Sequence, residues 1–143
     1  HLNGSPSILM MLLRREITFV IPMHISIVDV RDVAEAHVRA MTRGQNAGRY
    51  LVVSGQMWWK DISKAIRFEN PSLRVPTRQI PYFLSLIVSI FHPRVSLSWA
   101  RMHLGKRLFW DASPAQRDLG MKWKNPKDSV LDTIPPILEN GWK

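Results

Sequence analysis

Apolar and polar positions change period several times along the chain, and each change marks an element. Ser5 and Pro6 open a helix, serine capping and proline in the first turn, with Ile8, Leu9, Leu12 and Leu13 as its apolar face. Residues 17–21 read as extended. Alternation over residues 25–30 suits a strand, and the spacing then turns helical, with Val33, Ala36, His37, Ala40 and Met41 on one packing face. Asp32 is placed to cap this helix, and Glu35 three residues on gives a capping-box spacing. Thr42, Arg43 and Gly44 stop it, residues 46–48 supply a turn, and residues 50–53 form an apolar run fit for a buried strand. Strand, helix and strand at this spacing predict a right-handed parallel crossover.

The second half reads as short elements without an internal repeat. Helices are predicted over residues 59–69, with Ile62, Ala65 and Ile66 inward, and over 81–91 and 96–104, the last ended by Gly105. Residues 74–80 are extended between prolines, and 108–110 are short and strand-like. Ser113-Pro114 opens a small helix ending at Gly120, and Asn125-Pro126 opens a final one that Pro135-Pro136 should kink or stop.

Composition narrows the function classes. At 143 residues, 45% hydrophobic and 22% charged, the chain can bury a core as a single domain over its whole length. It has no cysteine, which excludes disulfides and thiolate chemistry and permits a cytoplasmic setting. Arg14 and Arg15 follow the apolar run 8–13 instead of preceding it, against a secretory signal. The apolar run 83–91 is far short of the ~20 residues a spanning helix needs and reads as a buried or interfacial helix.

The net charge of +9 suits an anionic cofactor, substrate or nucleic acid, or a solvated surface. Its densest aromatic-basic cluster is Lys122-Trp-Lys-Asn-Pro-Lys127, which could stack a base between cations, though nucleic acid is the least favoured partner. His24, His37, His92 and His103 lack i, i+4 spacing and an accompanying carboxylate pattern, so no metal site is assigned. His37 reads as a core or interface histidine. Met10, Met11, Trp58, Trp59, Trp99, Met102 and Trp110 read as core positions before ligand positions.

Ile27-Val-Asp-Val-Arg-Asp-Val-Ala-Glu-Ala-His-Val-Arg-Ala40, followed by Arg49-Tyr-Leu-Val-Val-Ser-Gly55, resembles the late strand, helix and next strand of an extended short-chain dehydrogenase/reductase. The resemblance is to the NAD-dependent epimerase/dehydratase and dihydroflavonol-reductase-like group. Ser7-Ile-Leu-Met-Met-Leu-Leu-Arg-Arg15 is similar to the helix after that family's Gly-Pro loop. Asp111-Ala-Ser-Pro-Ala-Gln-Arg-Asp-Leu-Gly120 resembles its closing Ala-x-x-x-Leu-Gly turn, and Ser129-Val-Leu-Asp-Thr-Ile134 its terminal helix. Order and spacing together carry the match across nearly the whole chain. Trp58 stands where relatives usually place a capping Ser or Thr.

The resemblance implies an α/β fold: a partial doubly wound, Rossmann-type parallel sheet with a small, mostly helical substrate-binding subdomain. The chain would be the carboxy-terminal, substrate-side portion of an NAD(P)-dependent oxidoreductase, with the cofactor held by a preceding half. No catalytic or cofactor-binding residue is assigned. Neither Tyr50 nor Tyr82 has lysine four residues on, those positions being Ser54 and Leu86, and no glycines give the dinucleotide spacing. The chain alone is therefore expected not to bind NAD(P) tightly, and whether it is an enzyme stays open.

By family position, Tyr82, Trp99, Met102 and His103 are the candidate substrate-binding residues. Ile25-Ser26 stands where nucleotide-sugar members carry an Arg-Asp that grips a diphosphate. A small carbonyl or alcohol substrate, as in dihydroflavonol or aldehyde reductases, is thus favoured over the sugar nucleotide of an epimerase or dehydratase. The alternative is a non-catalytic binding or interaction module that keeps the fold without the cofactor half. Exposed strand edges predict self-association, or pairing with a missing amino-terminal half.

Overall fold

A computed structural model describes residues 5–91 and 96–139. His92 lies outside the described residues. In chain order the elements are α1 (Ser5–Leu13), β1 (His24–Ile27), α2 (Val30–Arg43), β2 (Gly55–Trp58), α3 (Trp59–Glu69), α4 (Tyr82–Phe91), α5 (Leu97–His103), α6 (Ser113–Leu119) and α7 (Pro126–Glu139).

Two apolar clusters organise them. Leu12 of α1, Ile62 and Ile66 of α3, Val75, and Val130 and Ile134 of α7 are buried together, with Ile25, Ile27 and Met57 of the strands packed against them. Ala36 of α2, Ala115 and Leu119 of α6, and Met121 form the second, flanked by Tyr50, Val52 and Trp123. Small residues at 36 and 115 let α2 and α6 approach closely. Arg39 then donates to the carbonyls of Leu119 and Gly120, closing the end of α6 onto α2. Gly120 takes the left-handed conformation there, φ 68°, which a residue with a Cβ adopts at a cost.

The parallel crossover expected from the sequence is corrected. β1 pairs antiparallel with β2, His24 opposite Trp58 and Ile27 opposite Gly55. The pairing strand lies at Gly55–Trp58, beyond the apolar run 50–53. That run has no strand partner among the described residues; Tyr50 and Val52 instead pack on the α2–α6 cluster. Ser54 leads into the β1–β2 pairing, its N–H and hydroxyl both donating to the Ile27 carbonyl at 2.9 Å. A Cβ on Gly55 would meet the Pro126 ring at 2.6 Å, so α7 is seated directly on the start of β2.

The cap of α2 is also corrected. Asp29 is the N-cap, its carboxylate accepting from the Arg31 N–H, and the helix starts at Val30, which is 78% exposed and not part of a strand. Asp32 accepts instead from the Lys124 N–H at 2.9 Å, and Glu35 pairs with Arg39. Consequently Ala36 faces inward, whereas His37 is exposed, bonded to the Val33 carbonyl, and Met41 is exposed. Met11, Trp99, Met102 and Trp110 are exposed too, not core; Trp59 is buried. Residues 108–110 form no strand. α7 runs through Pro135 and Pro136, both at exposed positions, so the prolines do not stop it.

Several boundaries fall where the pattern placed them. α3 covers residues 59–69 behind Trp58, which supplies no side-chain cap. Ser96 caps α5, accepting from the Trp99 N–H, and Asn125 accepts from the Lys127 N–H at the start of α7.

Candidate substrate-facing site

The four candidate residues lie on α4 and α5, which pack against each other. What lets these helices approach is a seam of small side chains. Ser85 and Ser89, one turn apart on α4, are buried, as is Ala100 on α5. Each serine hydroxyl donates to a carbonyl three residues back, Ser85 to Tyr82 at 2.6 Å and Ser89 to Leu86 at 2.7 Å. The polar atoms are thus satisfied within α4.

Trp99 and His103 form one unit on α5. Their rings stack at 4.7 Å with 19° between planes, and His103 Nδ1 lies 2.9 Å from the Trp99 carbonyl. A carbonyl can only accept, so Nδ1 is the donor in this contact, and Nε2 is the ring nitrogen left for a ligand. Tyr82, at the first turn of α4, lies against Gly105, two residues past α5. A Cβ on Gly105 would lie 2.9 Å from the Tyr82 ring, and Gly105 has φ +70°, so both space and backbone demand glycine there. Gly105 N–H donates to the Pro22 carbonyl at 2.7 Å, fixing this corner against the segment before β1.

The structure therefore brings Tyr82, Trp99 and His103 onto one helix pair. Met102 sits two positions past the buried Ala100 and is 61% exposed, turned away from the seam. The chemistry on offer is an aromatic face, a phenol hydroxyl and an imidazole nitrogen, which suits holding a small apolar molecule with one or two polar groups.

A second polar constellation escaped the sequence reading. Asp29, buried, accepts from Arg31 Nε at 2.8 Å and Nη2 at 2.7 Å. Arg31 also reaches Asp132 at 2.8 Å, and Lys124 bonds Asp132 and lies 3.4 Å from Asp29. The Arg31 guanidinium holds the Asp29 carboxyl far below the ordinary carboxylate range, outweighing burial. Asp132 is lowered by Arg31 and then Lys124, and Lys124 is raised by Asp132. Each carboxylate faces a cation, so this is a clasp joining α2, the 121–125 loop and α7. Asp29 and Arg31 are visible in the sequence, but their partners lie about a hundred residues away, beyond any local spacing.

The Lys122–Lys127 cluster is likewise taken into the structure. Trp123 packs on the α2–α6 apolar cluster and Lys124 belongs to the clasp, so this indole offers no free stacking platform. Among the described residues no three His, Cys, Asp or Glu side chains group to hold a metal.

A dinucleotide's pyrophosphate would need open space at a glycine turn. Gly44 abuts the Ala40 carbonyl, Gly55 the Pro126 ring, Gly105 the Tyr82 ring and Gly120 the Arg43 guanidinium. The N-terminus of α2 is occupied by the Asp29 carboxylate, which repels phosphate. The described residues do not fit the diphosphate of NAD(P).

No protein-family model matches the chain. It is 24% identical to a protein of Synechocystis sp. provisionally named as a dihydroflavonol 4-reductase, over 94% of this chain and 43% of that protein. A nucleoside-diphosphate-sugar epimerase from Pseudomonas aeruginosa superposes at a TM-score of 0.74 with 18% identity, covering 96% of this chain and 43% of that one. The yeast methylglyoxal/isovaleraldehyde reductase Gre2, solved with NADPH, superposes at 0.65 with 24% identity, covering 99% and 37%. The chain thus spans less than half the length of these relatives. Their Rossmann-type α/β class is the class its sequence implied. Over the described residues, its own contribution to such a fold is one antiparallel strand pair and mostly helix.

Proposed function

We propose that this chain, which belongs with the carboxy-terminal part of the extended short-chain dehydrogenases/reductases, forms the substrate-binding portion of an NAD(P)-dependent oxidoreductase acting on a small carbonyl or alcohol compound. The observation that carries this reading is the α4–α5 pair, where Tyr82 and Trp99 are exposed and His103, stacked on Trp99, is half-buried. Their aromatic faces would cover an apolar substrate, the Tyr82 hydroxyl would donate to a carbonyl oxygen, and His103 Nε2 would accept from the hydroxyl of the alcohol. Hydride transfer and proton transfer belong to a cofactor-bearing half, since the described residues fit neither the dinucleotide nor a Tyr-x-x-x-Lys pair. Ile25-Ser26 in place of Arg-Asp weighs against a nucleotide sugar.

The test is titration of intrinsic tryptophan fluorescence with a dihydroflavonol, a short branched aldehyde, UDP-glucose and NADPH. Saturable quenching by one of the first two, lost in Tyr82→Ala and in Trp99→Phe, is expected. Saturation by UDP-glucose alone would transfer the site to the epimerase reading. Silence towards both carbonyl compounds and the sugar nucleotide would favour a non-catalytic module, and micromolar NADPH binding would refute the division of labour proposed here.

A further inference from the structure

His24, the first residue of β1, is buried, and neither the apolar clusters nor the clasp accounts for it. Ile25 and Ile27 of the same strand pack on the core, so His24 stands on the other face of the sheet with its cross-strand partner Trp58. The two rings lie 4.9 Å apart with 55° between planes. His24 Nδ1 accepts from the Leu108 N–H at 3.1 Å. A backbone N–H can only donate, so Nδ1 is unprotonated while this bond holds, and the neutral ring carries its proton on Nε2.

That bond closes a turn. Leu104, the C-cap of α5, bridges to Met23, and the Gly105 N–H donates to the Pro22 carbonyl at 2.7 Å. Pro22, Met23 and His24, successive in the chain, thus hold the turn at both its ends, and Gly105 is the residue against which the Tyr82 ring lies. Protonation of Nδ1 would set one N–H against another, and the anchor at Leu108 would be lost. The titratable groups on the elements around His24 are Lys106 and Arg107 on the turn, Tyr82 on α4, Arg101 and His103 on α5, Arg78 beside Val20, and Lys60 and Asp61 on α3; the other residues of β1 and β2 carry none. No ion pair among the described residues includes His24, so no carboxylate compensates an imidazolium there, and Lys106 and Arg107 bear the same charge. The Trp58 face favours a cation, but that contact survives a rotation of the imidazole away from Leu108.

We infer that His24 is a pH-sensitive positioning residue for the substrate site: its neutral Nδ1 holds the turn at residues 105–108 against β1, and uptake of a proton frees that turn and the Tyr82 ring that lies on it. The consequence for binding rests on the proposed substrate site, whereas the movement of the turn is read without any substrate.

The chain has two tyrosines, Tyr82 at this turn and Tyr50 on the α2–α6 cluster, so fluorotyrosine labelling of the full chain gives a reporter and an internal control. Fluorine NMR is followed from about pH 7.5 to about pH 5, where imidazole changes charge. The Tyr82 resonance should move in one step as the pH falls, while that of Tyr50 stays in place. In His24→Asn, whose side-chain oxygen accepts from Leu108 but does not titrate, the Tyr82 resonance should keep its neutral position throughout. In His24→Phe, which leaves a ring on Trp58 but no acceptor, it should sit at the acid position at every pH. Compared at one pH, the Leu108 amide should exchange its hydrogen at least roughly fivefold faster in His24→Phe than in His24→Asn. A Tyr82 resonance indifferent to pH would overturn the inference. So would a step that persists in His24→Asn, since it would belong to His103 or another group. If neither carbonyl compound binds, the substrate reading fails and the fluorine step remains. Where one binds, its affinity should fall by roughly fivefold across the step in the native chain and not in His24→Asn. An affinity that ignores the step would show that His24 does not position the site.

Discussion

Helices α3 and α4 are close in length and nearly adjacent in sequence, yet they resolve the same physical problem in opposite ways. In α3, Ile62 and Ile66 are buried against Leu12, Val75, Val130 and Ile134 while Lys64, Arg67 and Phe68 face water. In α4, Ser85 and Ser89 are buried and the phenylalanines and isoleucines face out. The difference lies in the partner. α3 meets large side chains from α1 and α7 that fill space between helices. α4 meets a seven-residue helix whose buried contact is Ala100, so only small residues let the two backbones close. Periodicity states which positions share a face; the neighbour decides which face is inside.

That contrast is sharpest at matched isoleucines. Ile66→Ala should destabilise the chain by about 2–5 kcal/mol, since residue 66 is fully buried and the surrounding helices can only partly collapse into the space. Urea unfolding followed by far-ultraviolet circular dichroism measures it. A midpoint within error of the native chain would mean the α1–α3–α7 cluster is not the stabilising core.

The clasp belongs to the same side of the comparison. Asp29→Ala removes the α2 cap and leaves Arg31 and Lys124 short of an acceptor, an expected loss of about 2–4 kcal/mol. Its pH dependence has a definite sign. The folded-state pKa of Asp29 is depressed, so the unfolded chain takes up the proton first as the pH falls. The stabilisation is complete above about pH 4 and is lost as the pH drops through the folded value. The stability gap between the native chain and Asp29→Asn should therefore be constant near neutrality and narrow below about pH 4. A gap that widened in acid would show that Asp29 is not ionised in the folded chain.

On the other side, Ser89→Leu inserts a branched side chain where α4 and α5 nearly touch. The expected cost is about 1–3 kcal/mol from overpacking, although the substitution raises hydrophobicity. Loss of the near-ultraviolet signal of Trp99 with retained helix content would report the two helices being forced apart.

How much of this was legible in the sequence follows from the same distinction. The helices at 59–69, 82–91 and 113–119, and the start of the one at 126–139, are readable because their signals are local, as in Ser113-Pro114, Gly120 and Asn125-Pro126; the end of the last is not, since it continues past Pro135-Pro136. The capping residue of α2 was missed because Asp29 and Asp32 both sit within reach of a helix start. Only the Lys124 N–H, drawn in by the fold, claims Asp32 and leaves the cap to Asp29. The strand at 55–58 was missed because Tyr50 and Val52 look more strand-like than Gly55 and Gln56. Pairing with β1, together with the Pro126 ring over Gly55, outweighs that preference. At the candidate site, the positions came from family order, and the stacking of Trp99 on His103 follows from their i, i+4 spacing. The outward stripe of α4 was half-written: Ser85 and Ser89, also i, i+4, mark a polar face, but nothing local says that this face is the buried one.

The smallest expected effect is the one that most directly separates the two regions. Ile87→Ser exchanges an isoleucine for a serine in the helix whose core positions are already serine. Were α4 an ordinary core-facing helix, this change would cost as much as Ile66→Ala. With residue 87 on the outward stripe and 47% exposed, only about half of the apolar area of a core isoleucine is at stake. Serine also has only a slightly lower helix propensity than isoleucine's own modest value. The loss of stability should be about 1 kcal/mol or less, and solubility at high salt should rise as an apolar patch is reduced. Paired measurement of Ile66→Ala and Ile87→Ser in one urea series checks both at once. If the two variants lost equal stability, the serine seam would not be the inner face of α4, and its outward stripe would have to be buried against part of this same chain.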